Sequence, residues 1–192
     1  MRIRRWLVVC GMSAALSGCV PTFHGSDWRG EANNQLGKLG YRNWILISEA
    51  SLPAQNHNGI HQISATAEIP AVVDYVLRTM EQTENVRPRI YVTREMRSVE
   101  NNFAPGMDAY RDALKKSLHG HETTELDQQA LLALMEDANR SLDVLVIRTQ
   151  TALPYSSIFM ELQPGYWDGE SEAHLRERIQ RQRMQKLAQP MP

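Results

Sequence analysis

Apolar residues fall along the chain in short blocks whose period changes from block to block, and those changes mark the elements. Trp44 to Ile47 is an unbroken apolar run, the sign of a strand buried on both faces. Ile63 to Ala67 alternates and reads as a second, shorter strand. Pro70 suits a first helical turn, and Val72, Val73, Val76, Leu77 and Met80 recur at helical spacing, which predicts a helix ending near Gln82. Upstream, Asp27 can cap a helix running to about Lys38, with Gly40 as its stop. Downstream, the pattern predicts strands over Arg89 to Thr93, Val144 to Arg148 and Ile158 to Leu162. Helices are expected from about Met107 to Leu118 and from about Leu126 to Asn139. Helices alternating with strands predict an α/β sheet in a single domain.

The two ends do not follow this alternation. Residues 1–18 read as a lipoprotein signal peptide: Arg2, Arg4 and Arg5, an apolar run from Trp6 to Leu16, then small residues before a cysteine. That run of eleven residues, broken by Gly11 and Ser13, falls short of the about 20 that a membrane span requires. Leu16-Ser17-Gly18-Cys19 has the form of a lipobox, which predicts cleavage before Cys19 and lipid on its side chain. Several acyl chains on one residue anchor stably, since each buried methylene contributes about 0.8 kcal/mol. With Val20 rather than aspartate next, the periplasmic face of the outer membrane is expected in a Gram-negative host. Residues 19–27 then form a lipidated tether, and residues 163–192 a polar, helical tail. In that tail the Glu172 to Arg176 spacing makes intrahelical pairing on a solvated face the default.

Processing also narrows the chemistry. The other cysteine, Cys10, lies in the discarded segment, so thiol nucleophiles, disulfides and thiolate metal sites are excluded from the mature chain. Losing three arginines from 21 basic residues leaves 18 against 22 acidic ones, a net charge of −4 that gives no sign of a nucleic-acid partner. Two loop histidines, His57 and His61, lack a nearby third ligand, so no metal is assigned. His119 and His121 flank Gly120 as a helix stop and are assigned no chemistry.

Two stretches together resemble the D-ribose pyranase and L-fucose mutarotase (RbsD/FucU) family, whose members interconvert sugar anomers and ring forms. The first is Leu39-Gly40-Tyr41-Arg42-Asn43 with Ile45 to Pro53, similar to the family's Leu-Gly-His, buried strand, Asp-Ala and Leu-Pro pattern. The second is Val146-Ile147-Arg148-Thr149 with Leu153-Pro154-Tyr155-Ser156-Ser157-Ile158, similar to its terminal strand and Pro-Tyr-x-Asn-Ile segment. The resemblance covers residues 28–162. It implies a three-layer α/β/α sandwich with a mostly parallel or mixed central sheet, a monosaccharide ligand of the pentose or deoxyhexose class, no cofactor and a homo-oligomer with pockets shared between neighbours.

Residue by residue, the resemblance also marks departures. Opening a pyranose requires a base and an acid on opposite sides of one pocket. The family histidine matches Tyr41, a poor base at its ordinary pKa near 10, and the family aspartate matches Glu49. Tyr41 and Glu49 could share one proton as a pair, with Tyr155 hydrogen bonding or stacking on the sugar. Arg148, Ser157 and His61 are the candidate substrate contacts. Arg148 can hold hydroxyl oxygens or pair with Glu49, Ser157 stands for the family asparagine, and either His57 or His61 can replace the lost base. A further family His or Tyr falls near Met135. The expected function is a monosaccharide-binding, mutarotase-like envelope lipoprotein with a degenerate catalytic site. The alternative is a non-enzymatic ligand-binding or assembly lipoprotein that keeps only the fold.

Overall fold

The computed structural model describes residues 27–54 and 57–187. The segment expected as a signal peptide, the expected lipidation position Cys19 and nearly all of the expected tether therefore lie outside the described residues. In chain order the elements are α1 (Trp28–Leu36), β1 (Trp44–Ser48), β2 (Ile60–Ser64), α2 (Ile69–Glu81), β3 (Val86–Thr93), a 3-10 turn (Arg94–Ser98), α3 (Met107–Ser117), β4 (Thr123–Leu126), α4 (Gln128–Asn139), β5 (Val144–Arg148), β6 (Ile158–Pro164) and α5 (Gly169–Leu187).

The strands form one mixed sheet in the order β2-β5-β1-β6-β3-β4. Pairings of β2 with β5, β5 with β1 and β3 with β4 are parallel, whereas β6 is antiparallel to both β1 and β3. Among the described strands β6 alone is reversed, so the other five all end at the same edge. Strand alternation splits the core in two. Ile45, Ile47, Ile90, Leu145, Ile147, Ile158 and Met160 face α1, α2 and α3. Trp44, Leu46, Tyr91, Val144, Val146 and Phe159 face the opposite side, where Leu131 of α4 packs. The architecture is thus α/β/α, with one layer built of three helices and the other of a single helix.

Local chemistry marks the starts of α1 and α2. Asp27 caps α1, its carboxylate accepting the Arg29 N–H at 3.2 Å, and Pro70 occupies the first turn of α2. Three expectations need correction. The second strand is Ile60–Ser64, not 63–67, because it pairs in register with Val144 to Arg148 and the chain must then leave the sheet to enter α2. Helix α1 ends at Leu36, with Gly37 rather than Gly40 at its C-cap. Residues 123–126, expected as loop and helix start, form edge strand β4, and α4 begins only at Gln128. Pro88 is tolerated inside β3 because β4 pairs only with Ile90 to Thr93, leaving the chain at Pro88 unpaired on that side.

Helix α5 runs nineteen residues and buries none of them among the described residues. Pairs such as Arg176–Glu172 at 2.6 Å and Arg181–Glu177 at 3.5 Å link successive turns along it. Among the described residues no helix is long and apolar enough to cross a membrane.

Candidate functional site

The shared edge where β1, β3 and β5 end is closed by the loop 149–157, which leads into β6. Polar side chains tie this loop down at almost every step. Thr149 donates both its amide (2.9 Å) and its hydroxyl (2.8 Å) to the Ser48 carbonyl. The Ala50 amide donates to the Thr151 carbonyl at 2.8 Å. The Thr151 hydroxyl donates to the Glu68 carboxylate and accepts the Ile69 amide, fixing the start of α2. At the far end, Thr93 Oγ1 donates to the Tyr155 carbonyl at 2.6 Å and the Tyr110 hydroxyl donates to the Ser156 carbonyl. Between these clamps Tyr155 has φ 56°, a left-handed conformation in which a side chain is strained.

Glu49 follows β1 at this edge. Its amide donates to Ser157 Oγ at 3.3 Å, and its Oε1 accepts from Ser51 Oγ at 2.8 Å. Its Oε2 is buried and has no hydrogen-bond partner among the described residues. Leaving a buried carboxylate oxygen unsatisfied is costly, and no described residue donates to this one. Glu49 lines a cleft of about 480 Å³ together with Ser51, Ala152, Leu153 and Pro154. Tyr155, 39% exposed, borders a neighbouring cleft of about 360 Å³ with Arg94, Glu95 and Asp127. There Arg94 pairs with Asp127 at 3.1 Å, and the Glu95 carboxylate accepts the Gln128 amide at the start of α4.

The structure brings together Glu49, Ser157 and the loop bearing Tyr155, and it separates the other candidates. Tyr41, 57% exposed, lies in the turn before β1, whereas Glu49 lies beyond the opposite end of that strand. Five extended residues span roughly 16 Å, so within one chain these two cannot share a proton. Arg148 is registered with Ser48 and, by alternation from Val146, points to the face covered by α4, where its guanidinium reaches Ser64 Oγ at 3.4 Å. No Arg148–Glu49 ion pair occurs among the described residues. His61 is registered with Leu145 and therefore faces the other side of the sheet from Arg148. Met135 and His57 border a third cleft, about 460 Å³, between α4 and the apolar floor of Leu46, Val144 and Val146. Among the described residues no group of three or more His, Cys, Asp or Glu side chains is arranged to hold a metal.

Tyr110 is the site residue that sequence reasoning does not single out. It sits three residues from Met107 and four from Leu114, so the pattern assigns it to the packed face of α3. Burial, and then the nearby Glu49 charge, push its phenol far above the ordinary tyrosine value of 10.0. The folded state thus holds a proton that the unfolded chain releases near pH 10. The resulting stability is complete below pH 10 and is lost as pH rises above it toward the folded value. Urea midpoints measured between about pH 9 and pH 11.5 are expected to fall more steeply for the wild type than for Tyr110→Phe. Parallel curves would mean that the phenol is not held protonated.

No protein-family model matches the chain, and no curated protein matches it. Among solved structures it is similar to Bacillus subtilis RbsD complexed with D-ribose, at 20% identity and a TM-score of 0.47 over 69% of this chain and 91% of that one. The fucose mutarotase from Streptococcus pneumoniae in complex with L-fucose is similar at 17% identity and a TM-score of 0.46, covering 69% of this chain and 91% of the other. FucU from Bifidobacterium longum is similar at 14% identity and a TM-score of 0.47, covering 70% and 94% respectively.

Proposed function

We propose that this chain is an exported, lipid-anchored protein whose Glu49 cleft holds a neutral monosaccharide, pentose or deoxyhexose, as a binding module that does not accelerate anomer exchange. The observation that carries this reading is the Glu49 carboxylate, with one oxygen held by Ser51 and the other buried and unpartnered among the described residues. A carboxylate accepts strongly from ligand hydroxyls, and Leu153 and Pro154, which line the same cleft, offer an apolar wall to a sugar.

Catalysis needs a second titrating group across the ligand ring. The Tyr110 proton is committed to the Ser156 carbonyl, and Tyr41 stands at the other end of β1. One carboxylate can bind and orient a sugar, and with Oε1 engaged by Ser51 and Oε2 buried, Glu49 is poorly placed to pass one proton to the ring oxygen while taking another from the anomeric hydroxyl. Lipid on Cys19 and attachment to the periplasmic face of the outer membrane belong to the same proposal, resting on the N-terminal sequence. Assembly into a homo-oligomer also belongs to it, supported by α5, none of whose residues is fully buried and whose last two turns and more are exposed.

Saturation-transfer and exchange NMR with D-ribose and L-fucose test the reading directly, these sugars being chosen from the sequence resemblance. Transfer from the wild type is expected, with affinity falling about tenfold or more in Glu49→Gln and no acceleration of anomer exchange in either. No transfer to any common monosaccharide would sink the sugar reading. Accelerated exchange abolished by Glu49→Gln would make the protein an enzyme instead.

A further inference from the structure

Two hydroxyls from different layers converge on consecutive carbonyls of the loop beside Glu49. Thr93, at the end of β3, holds the carbonyl of Tyr155 at 2.6 Å. Tyr110, in the second turn of α3, holds the carbonyl of Ser156. The next residue, Ser157, takes the Glu49 amide on its own hydroxyl. Tyr155 is the strained member of this run, at φ 56°. A non-glycine residue stays in that region only where its surroundings over-determine it. The Tyr110 ring is 6% exposed and packed in the core, so its hydroxyl has a rigid mount. The phenol also stays protonated, and thus a donor, throughout the neutral range.

We infer that Tyr110 is the positioning residue of the Glu49 cleft: its hydroxyl holds the turn at Tyr155 to Ser157 in the conformation that keeps the Ser157 hydroxyl on the Glu49 amide and the adjoining Leu153–Pro154 wall of the cleft in place. The residue itself lines neither the Glu49 cleft nor the Tyr155 cleft, so it acts on a ligand through the loop alone. This inference rests on the reading of the cleft as a monosaccharide site, and it adds a residue from a helix that lies outside the sequence resemblance's site. Phenylalanine at 110 preserves the packing of the ring and removes only the donor. The Ser156 carbonyl is then left without that bond, Tyr155 loses one of the two restraints that keep it left-handed, and the Ser157 hydroxyl is free to leave the Glu49 amide.

The test compares the full-length wild type with Tyr110→Phe, and with Thr93→Val, which releases the adjacent carbonyl. Two quantities are read by NMR: the affinity for D-ribose and L-fucose, and the hydrogen-exchange rate of the Glu49 amide against that of the Ile45 and Ile147 amides in the sheet centre. In Tyr110→Phe the dissociation constant is expected to rise about tenfold, and Glu49 exchange to quicken by about the same factor, as for one hydrogen bond lost. The Ile45 and Ile147 rates should stay put, and Thr93→Val should shift both readouts in the same direction. Unchanged affinity and unchanged Glu49 exchange would overturn the inference, as would a uniform quickening of all three amides, which marks a packing role. If the wild type binds neither sugar, the monosaccharide reading fails, while the Glu49 exchange comparison still decides whether Tyr110 holds the turn.

Discussion

Alanine at Gly165 is expected to destabilise the protein by about 3 kcal/mol, lowering the melting temperature by roughly 6–12 °C. The added methyl carbon would lie 2.1 Å from the carbonyl oxygen of Glu84, 2.9 Å from its carbonyl carbon and 3.0 Å from that of Asn85. All three are backbone atoms, so no rotamer change relieves the overlap. The two segments are also clipped together, the Gly165 amide donating to the Asn85 carbonyl at 2.8 Å. Either this bond breaks or the turn before β3 moves, and both disturb the longest strand pairing in the sheet. Gly169→Ala provides the contrast, because a methyl there meets nothing within 4 Å. Thermal unfolding followed by circular dichroism should separate the two variants clearly. A fall below about 1 kcal/mol for Gly165→Ala would show that the two backbones are not in close approach.

The second large effect is expected from Phe159→Ala, at about 3–5 kcal/mol by urea unfolding. Phe159 is 1% exposed at the middle of the sheet, registered with Leu46 on one side and Tyr91 on the other. Its face is covered by α4, which contributes one fully buried side chain, Leu131. Removing the ring therefore empties the centre of the thinner of the two cores. A loss under about 1.5 kcal/mol would mean that α4 settles inward and refills the space.

Sequence reading works best here where burial is extreme. The runs Trp44 to Ile47 and Val144 to Ile147 are apolar at every position because both faces of those strands are covered, and their bounds are nearly correct from the pattern alone. Strand β4 escapes notice because Thr123 to Leu126 is a four-residue edge strand with no buried position, so burial imposes no pattern on it. In the site, the motifs lead to Glu49 and Ser157, which a hydrogen bond links across the ends of β1 and β6, and to Tyr155, which borders the neighbouring cleft. They do not anticipate that Tyr41 and Arg148 are carried away, since one separation follows from the length of β1 and the other from which face of β5 Arg148 occupies. Tyr110 is invisible for a different reason. A helical pattern registers a tyrosine as an apolar ring at a core position and carries no information about what its hydroxyl meets.

The reversed strand β6 has a consequence for the order in which the molecule can be made. Strands β2, β5 and β1 form one parallel group and β3 and β4 another, and the two are joined only through β6. Of the six strands, β6 is the last to leave the ribosome. Until it emerges, β1 and β3 each present an unpaired, apolar strand edge, the kind of surface that recruits other chains. Closure then requires long-range pairings back to residues 44–47 and 86–92, which makes the folding step slow for a chain of this size. A chain of this topology is thus kept from completing its sheet until most of it has been synthesised, a delay that prolongs the open state before β6 joins the two halves.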